Sequence, residues 1–120
     1  MAKVLIIDDS PSETHKLEGI LKKNGYTVLS AESAEQGVQV AKQEQPDVVL
    51  MDVVMPGLNG FQATRLLTRD RETGHIPIIM VTTKNQEADR VWGARQGAKA
   101  YLTKPVREGD LLKTVKEFSA

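Results

Sequence analysis

The chain has 120 residues, with 16 Lys and Arg balanced by 16 Asp and Glu, and no cysteine. That length suits one domain with its own core, and the missing cysteines exclude disulfides, thiolate zinc sites and thiol catalysis. Balanced charge argues against a nucleic-acid binder, and no stretch approaches the roughly 20 apolar residues of a membrane span.

The N-terminal MAKVLIIDDS has a short apolar run that carboxylates interrupt at once. It is no signal peptide, so cytoplasmic residence is expected. Within it Val4–Ile7 reads as a first strand, too short for a helix and rich in Val and Ile. A first helix follows with Leu17, Ile20 and Leu21 on one face, stopping at Asn24–Gly25. Tyr26–Leu29 is a weaker second strand. Ser33 with Gln36 forms a capping box that opens a second helix, with Ala34, Val38 and Ala41 inward. Val48–Met51 is the third strand. Asn59 caps a third helix carrying Ala63, Leu66 and Leu67. Ile78–Val81 is the fourth strand, and Asn85 caps a fourth helix that turns Ala88, Val91 and Trp92 inward. Ala100–Leu102 is a weaker fifth strand, and Leu111, Leu112, Val115 and Phe118 mark a fifth helix.

The first, third and fourth strands lack polar alternation, as expected for strands covered on both faces. Five βα units imply an α/β fold, a doubly wound five-stranded parallel sheet of flavodoxin-like order 2-1-3-4-5. One domain over residues 1–120 is expected. In such sheets ligands bind beyond the carboxyl ends of the strands, at the switch point between strands 1 and 3.

That edge is where the chemistry gathers. The first strand ends in Asp8–Asp9, the third in Asp52, the fourth in Thr82–Thr83 and the fifth in Thr103–Lys104–Pro105. Crowded carboxylates repel unless a cation or proton intervenes. Mg²⁺ takes oxygen ligands and keeps several waters, with Asp9 and Asp52 the natural direct ligands and Asp8 acting through water. Taken alone, Asp8–Asp9 reads equally well as a helix N-cap pair, although Ser10–Pro11 lets Ser10 be the cap instead. Taken alone, Thr82 is a strand-end hydroxyl, Lys104 a solvated lysine, Tyr101 a packing aromatic and Asp52 a turn residue. Their joint placement lifts them above those roles. His15 and His75 are isolated and read as surface residues.

The segments VLIIDDSP (4–11), DVVLMDVVMPGLNG (47–60), IIMVTT (78–83) and YLTKP (101–105) resemble the receiver domains of bacterial two-component response regulators. The resemblance implies Asp52 as phosphoryl acceptor, Asp8 and Asp9 as the acidic pair that holds Mg²⁺, and the Val54 backbone carbonyl as a further ligand. It implies Thr82 as the switch hydroxyl, Lys104 as the partner of a phosphoryl oxygen before a cis bond to Pro105, and Tyr101 as the switch aromatic, turning from an outward to an inward setting when Thr82 moves toward the phosphoryl group to give the engaged form. Met55, Pro56, Gly57 and Gly60 would shape the loop beside the acceptor. Thr83 stands where the family usually has a very small residue, and Val54 and Lys84 occupy positions that tune attacking water. The phosphoryl lifetime is where this chain would depart from the family.

Over nearly its whole length the chain further resembles small stand-alone regulators of pilus and twitching-motility systems, the PilH type, carried by Phe61–Arg65 and Val91–Gly93. A histidine kinase, of chemotaxis type, is the implied donor, and the chain is implied to be a monomer or weak dimer with no enzyme activity beyond self-phosphotransfer and autodephosphorylation. A protein partner would dock on the face made by the fourth helix, fifth strand and fifth helix, with no output domain, nucleic acid or membrane insertion involved. The alternatives are a phosphate sink for a shared kinase and a phosphorylation-independent interaction module.

Charge is uneven along the chain: residues 1–83 hold 8 Lys and Arg against 11 Asp and Glu, residues 84–120 the reverse excess, 8 against 5. The basic end reads as a docking face, with Lys84, Arg90, Lys99, Arg107, Lys113 and Lys116 as contributors, or as ordinary solvated charge. Two rival chemistries fare worse. A haloacid-dehalogenase-type phosphatase needs a second Asp two residues after its nucleophile, where Val54 stands, and a cap region. A flavodoxin or nucleotide binder needs a Gly, Ser or Thr-rich loop after the first strand, where DDSPSET places two carboxylates.

Overall fold

The structure, a computed structural model, describes residues 2–119. Its elements run β1 (Lys3–Ile7), α1 (Pro11–Lys23), β2 (Thr27–Ala31), α2 (Ala34–Glu44), β3 (Val48–Met51), α3 (Gly60–Arg69), β4 (Ile78–Thr82), α4 (Glu87–Gln96), β5 (Ala100–Thr103) and α5 (Glu108–Ser119). The five strands form one parallel sheet in the order β2-β1-β3-β4-β5, the expected doubly wound arrangement.

Two apolar layers cover the sheet. Leu5, Ile7, Val49, Met51, Ile78 and Met80 point to one side, where they meet Ala34 and Ala41 of α2 and Phe61, Ala63 and Leu67 of α3. Val4, Ile6, Val48, Leu50, Ile79 and Val81 point to the other, where they meet Leu17 and Leu21 of α1 and Leu111 and Val115 of α5. Strand periodicity of two splits each apolar run between these layers, which is why the central strands need no polar face. Every residue of β3 and β4 is buried. Each such Val, Leu or Ile contributes roughly 1.5–3 kcal/mol relative to exposure.

Local signals account for the helix ends. Ser10 accepts the Glu13 amide and Pro11 occupies the first turn of α1. Ser33 accepts the Gln36 amide at 3.1 Å, while the Gln36 side chain takes the Glu32 amide. Asn59 and Gln62 form a reciprocal capping box on α3, both bonds at 2.9 Å.

Four expectations are corrected. The second strand begins at Thr27 and runs to Ala31. Tyr26 belongs to the turn instead, because its amide closes the end of α1 on the Leu21 carbonyl behind Gly25 at φ 89°. The residue preceding α4 is Gln86, not Asn85, and its amide bonds to the Asp89 carboxylate at 3.2 Å. On α4, Ala88, Val91 and Trp92 face outward, and Gly93 and Gln96 are buried instead. A Cβ at Gly93 would meet the Tyr101 ring at 3.3 Å, so α4 packs closely on that ring and a larger residue would need it to give by a few tenths of an ångström. On α3, Leu66 is exposed, since Gly60, Phe61, Ala63, Thr64 and Leu67 form the buried arc and position 66 falls outside it. No helix among the described residues is long and apolar enough to cross a membrane.

Candidate functional site

Strand register builds the site. Ile7 pairs with Met51, and the ladder continues one step beyond as the Asp52 amide bonds the Ile7 carbonyl at 2.9 Å. Asp8 and Asp52 thus leave adjacent strands side by side. On the other half, Thr82 pairs with Thr103 and the Lys104 amide bonds the Thr82 carbonyl at 2.8 Å. Lys104 therefore starts beside Thr82, and its side chain reaches back to the acidic pair.

The Lys104 ammonium lies 2.7 Å from Asp8 Oδ2 and 3.8 Å from Asp52 Oδ2. Asp8 is 2% exposed and Asp52 8%, whereas Asp9 is open to solvent. Burying both carboxylates unpaired would be severe, and the ammonium offsets part of that cost. Asp8 Oδ1 also accepts the Ser10 amide at 2.9 Å, so Asp8 is tied to the start of α1 without capping it. The bond between Lys104 and Pro105 is cis.

Asp52 is held above the ordinary carboxylate range. Burial is the largest cause; the Lys104 ammonium opposes it, Asp8 adds to it, and hydrogen bonds from the Val53 amide and the Thr82 hydroxyl pull back down. The Val53 amide reaches Asp52 Oδ1 at 2.8 Å. Thr82 is fully buried, and its oxygen also accepts the Lys84 amide at 3.3 Å.

Carboxylate oxygens of Asp8, Asp9 and Asp52 all lie within 4.8 Å of one another. An all-oxygen, acidic set half open to water through Asp9 suits a hard divalent cation that keeps part of its hydration shell, so the residues present fit Mg²⁺. Val54, two residues after Asp52, has its side chain in solvent in the loop that leads to α3. Thr83 and Lys84 are likewise exposed at the mouth of the site, and Lys84 pairs with Asp89 at 3.7 Å.

Tyr101 sits farther out, half-buried against the α2–α3 layer, with its hydroxyl donating to the Lys84 carbonyl at 2.7 Å. Burial and the nearby Asp89 push this phenol up, against the pull of Arg90. His15 and His75 are exposed, and neither belongs to the cluster.

Two supports were not legible from residue type. A Cβ on Gly60 would collide with the Asp52 carbonyl, and the Gly60 amide bonds the Val53 carbonyl at 2.8 Å. The first residue of α3 thus rests on the backbone of Asp52. Glu35 reaches from α2 to accept the Leu58 amide at 3.3 Å beside Gly57, whose φ of 77° suits glycine. It anchors the far end of the same loop. Only the unusual run of glycines at 57 and 60 hinted at either contact.

Comparison with known proteins agrees with this geometry. The sequence matches the response regulator receiver domain family over residues 4–116. It is 65% identical over 115 residues to Protein PilH of Pseudomonas aeruginosa, covering 96% of this chain and 95% of that one. It is 34% identical to Response regulator PleD of Caulobacter vibrioides, covering 98% of this chain and 26% of that larger protein. Among solved structures, the chemotaxis protein CheY4 of Vibrio cholerae matches with a TM-score of 0.92 at 32% identity, over 98% of each chain. The receiver domain of a Pseudomonas aeruginosa sensor histidine kinase, with magnesium coordinated in its active-site cleft, matches at a TM-score of 0.91 and 28% identity, covering 98% of this chain and 97% of that one. With the sheet order, the acidic cluster and the family match in agreement, the chain belongs to the response-regulator receiver family.

Proposed function

We propose that Asp52 accepts a phosphoryl group from a histidine kinase and that the phosphorylated form engages a protein partner through α4, β5 and α5. The observation that carries the reading is the convergence of Asp8, Asp9 and Asp52 within 4.8 Å, with the Lys104 ammonium against two of them. An Asp52 carboxylate oxygen forms a bond to phosphorus as the bond from phosphorus to the donor nitrogen breaks, and the donor imidazole keeps that electron pair. Bound Mg²⁺ supplies neutralisation of the negative charge that this transfer brings together. Asp8, Asp9, Asp52 and the Val54 carbonyl would hold it. Lys104 offers its ammonium to a phosphoryl oxygen, and Thr82 offers its hydroxyl to another.

Transfer to its own Asp52 and later loss of the group to water are the only reactions assigned to the chain. The 65% identity to PilH supports a place in pilus or twitching motility, and the likeness to a chemotaxis protein supports a chemotaxis-type kinase as donor. Val91 and Trp92, 44% and 47% exposed on α4, give the partner face an apolar centre. Incubation with acetyl phosphate should add one base-labile phosphoryl group only when Mg²⁺ is present. Equal labelling of Asp52→Asn would overturn the reading.

A further inference from the structure

Three neighbours define where the Tyr101 ring sits. Its hydroxyl is bonded to the Lys84 carbonyl in the loop that follows Thr82. Its edge lies against Gly93, where an added Cβ would come within 3.3 Å of the ring. The third neighbour is Arg90, whose guanidinium carbon lies 5.1 Å from the ring centroid. The same guanidinium donates through Nη1 to the Tyr101 carbonyl at 3.3 Å and through Nη2 to the Thr103 hydroxyl at 2.9 Å. A planar fork bonded twice along β5 has little freedom to leave the ring face.

Arg90 also stands between two hollows that Tyr101 lines. One, of about 340 Å³, extends past Thr103 and Pro105 to α5. The other, of about 100 Å³, lies toward Ala94 and Ala98. The guanidinium lies over the ring and lines the larger hollow with it, so a ring turning outward would lose this contact. We infer that Arg90 is a positioning residue: it clamps Tyr101 in its sheltered setting before any phosphoryl group arrives. The role of Tyr101 as a switch rests on the function proposed above; the clamp itself rests on these contacts. A phosphoryl group can move the ring only by favouring one of its two settings. Where Arg90 already favours the sheltered one, little shift remains for phosphorylation to produce. The consequence is that the α4–β5 face starts close to the engaged form, with Tyr101 already sheltered, and Arg90, not the acceptor alone, sets that starting point. It also means that Arg90 serves inside the chain and is a poor candidate for direct contact with a partner.

The test uses 3-fluorotyrosine in a Tyr26→Phe background, so that one fluorine resonance reports Tyr101. Its shift between H₂O and D₂O measures exposure of the ring. Unphosphorylated protein should give a small solvent shift that changes little on adding acetyl phosphate and Mg²⁺. Arg90→Ala should give a large solvent shift that falls on phosphorylation, and Arg90→Lys, which keeps the cation but not the fork, should fall between the two. Circular dichroism establishes that each variant is folded, and Arg90→Lys carries the test should Arg90→Ala fail to fold. An exposed Tyr101 in the unphosphorylated parent would overturn the clamp, as would solvent shifts in the folded variants that match the parent. The unphosphorylated arms need no working acceptor, so a failure at Asp52 would be seen separately.

Discussion

α3 and α4 are each ten residues long and lie side by side, yet the protein holds them in different ways. α3 buries Gly60, Phe61, Ala63, Thr64 and Leu67. Its first residue touches the Asp52 backbone. α4 buries only Gly93 and Gln96, and turns Val91 and Trp92 to solvent. Elements with few buried apolar contacts open at lower free energy than those seated in a core. Asp52, just past the end of β3, thus leans on a firmly seated helix, while the face proposed for a partner is carried by a more lightly seated one. A switch needs both: a rigid seat for the chemistry and a movable element that reports on it.

The contrast can be broken by substitution. The largest effect is expected at Leu67, only 1% exposed. Leu67→Ala should cost about 2–5 kcal/mol in urea unfolding, as large-to-small core changes do. A loss under about 1 kcal/mol would mean that α3 is not the anchored helix. Gly60→Ala should cost about 1–3 kcal/mol, because the added methyl has to push the Asp52 carbonyl or α3 aside. The displaced acceptor should take phosphate from acetyl phosphate about 10²-fold more slowly. Normal kinetics in Gly60→Ala would separate α3 from the acceptor.

A smaller effect is expected from the acceptor's charge. In metal-free buffer the folded Asp52 carboxyl keeps its proton to higher pH than it does in the unfolded chain. Its contribution to stability therefore falls as pH rises from the ordinary value near 3.8 through the raised folded value, and stays lower above it. Asp52→Asn should raise Tm at neutral pH, and the gain should shrink as pH falls toward that ordinary value. A gain independent of pH would point to packing instead of ionisation. The smallest effect belongs to α4. Val91→Ala loses part of a half-exposed side chain but gains about 0.5 kcal/mol in helix propensity, so stability should stay within about 0.5 kcal/mol. A core-sized loss would erase the contrast between the two helices.

Sequence patterns carried the architecture because strands 1, 3 and 4 each hold an unbroken apolar run and the turns hold strong punctuation at Asn24–Gly25, Ser33 and Asn59. The clustering of the site residues was legible for a related reason: Asp8, Asp52 and Lys104 each follow a strand directly, with Asp9 one residue on, so strand order brings them to one edge. α4 was misread because Ala88, Val91 and Trp92 have the spacing of a buried face. The side of that helix turned inward is the one with Gly93 against the Tyr101 ring, 8 residues on in the chain, and periodicity cannot register how two elements fit. The same limit hid the contacts of Gly60 with Asp52 and of Arg90 with Thr103. Each depends on how two elements meet.

The central claim is that the phosphoryl group sits on Asp52, and chemical trapping tests it directly. Borohydride reduces an aspartyl phosphate to homoserine and leaves free carboxylates intact. After treatment with acetyl phosphate and Mg²⁺, reduction and peptide mapping should find homoserine at position 52 within DVVLMDVVMPGLNG and nowhere else. Homoserine at Asp8 or Asp9, or unreduced protein that nevertheless carries phosphate, would contradict it.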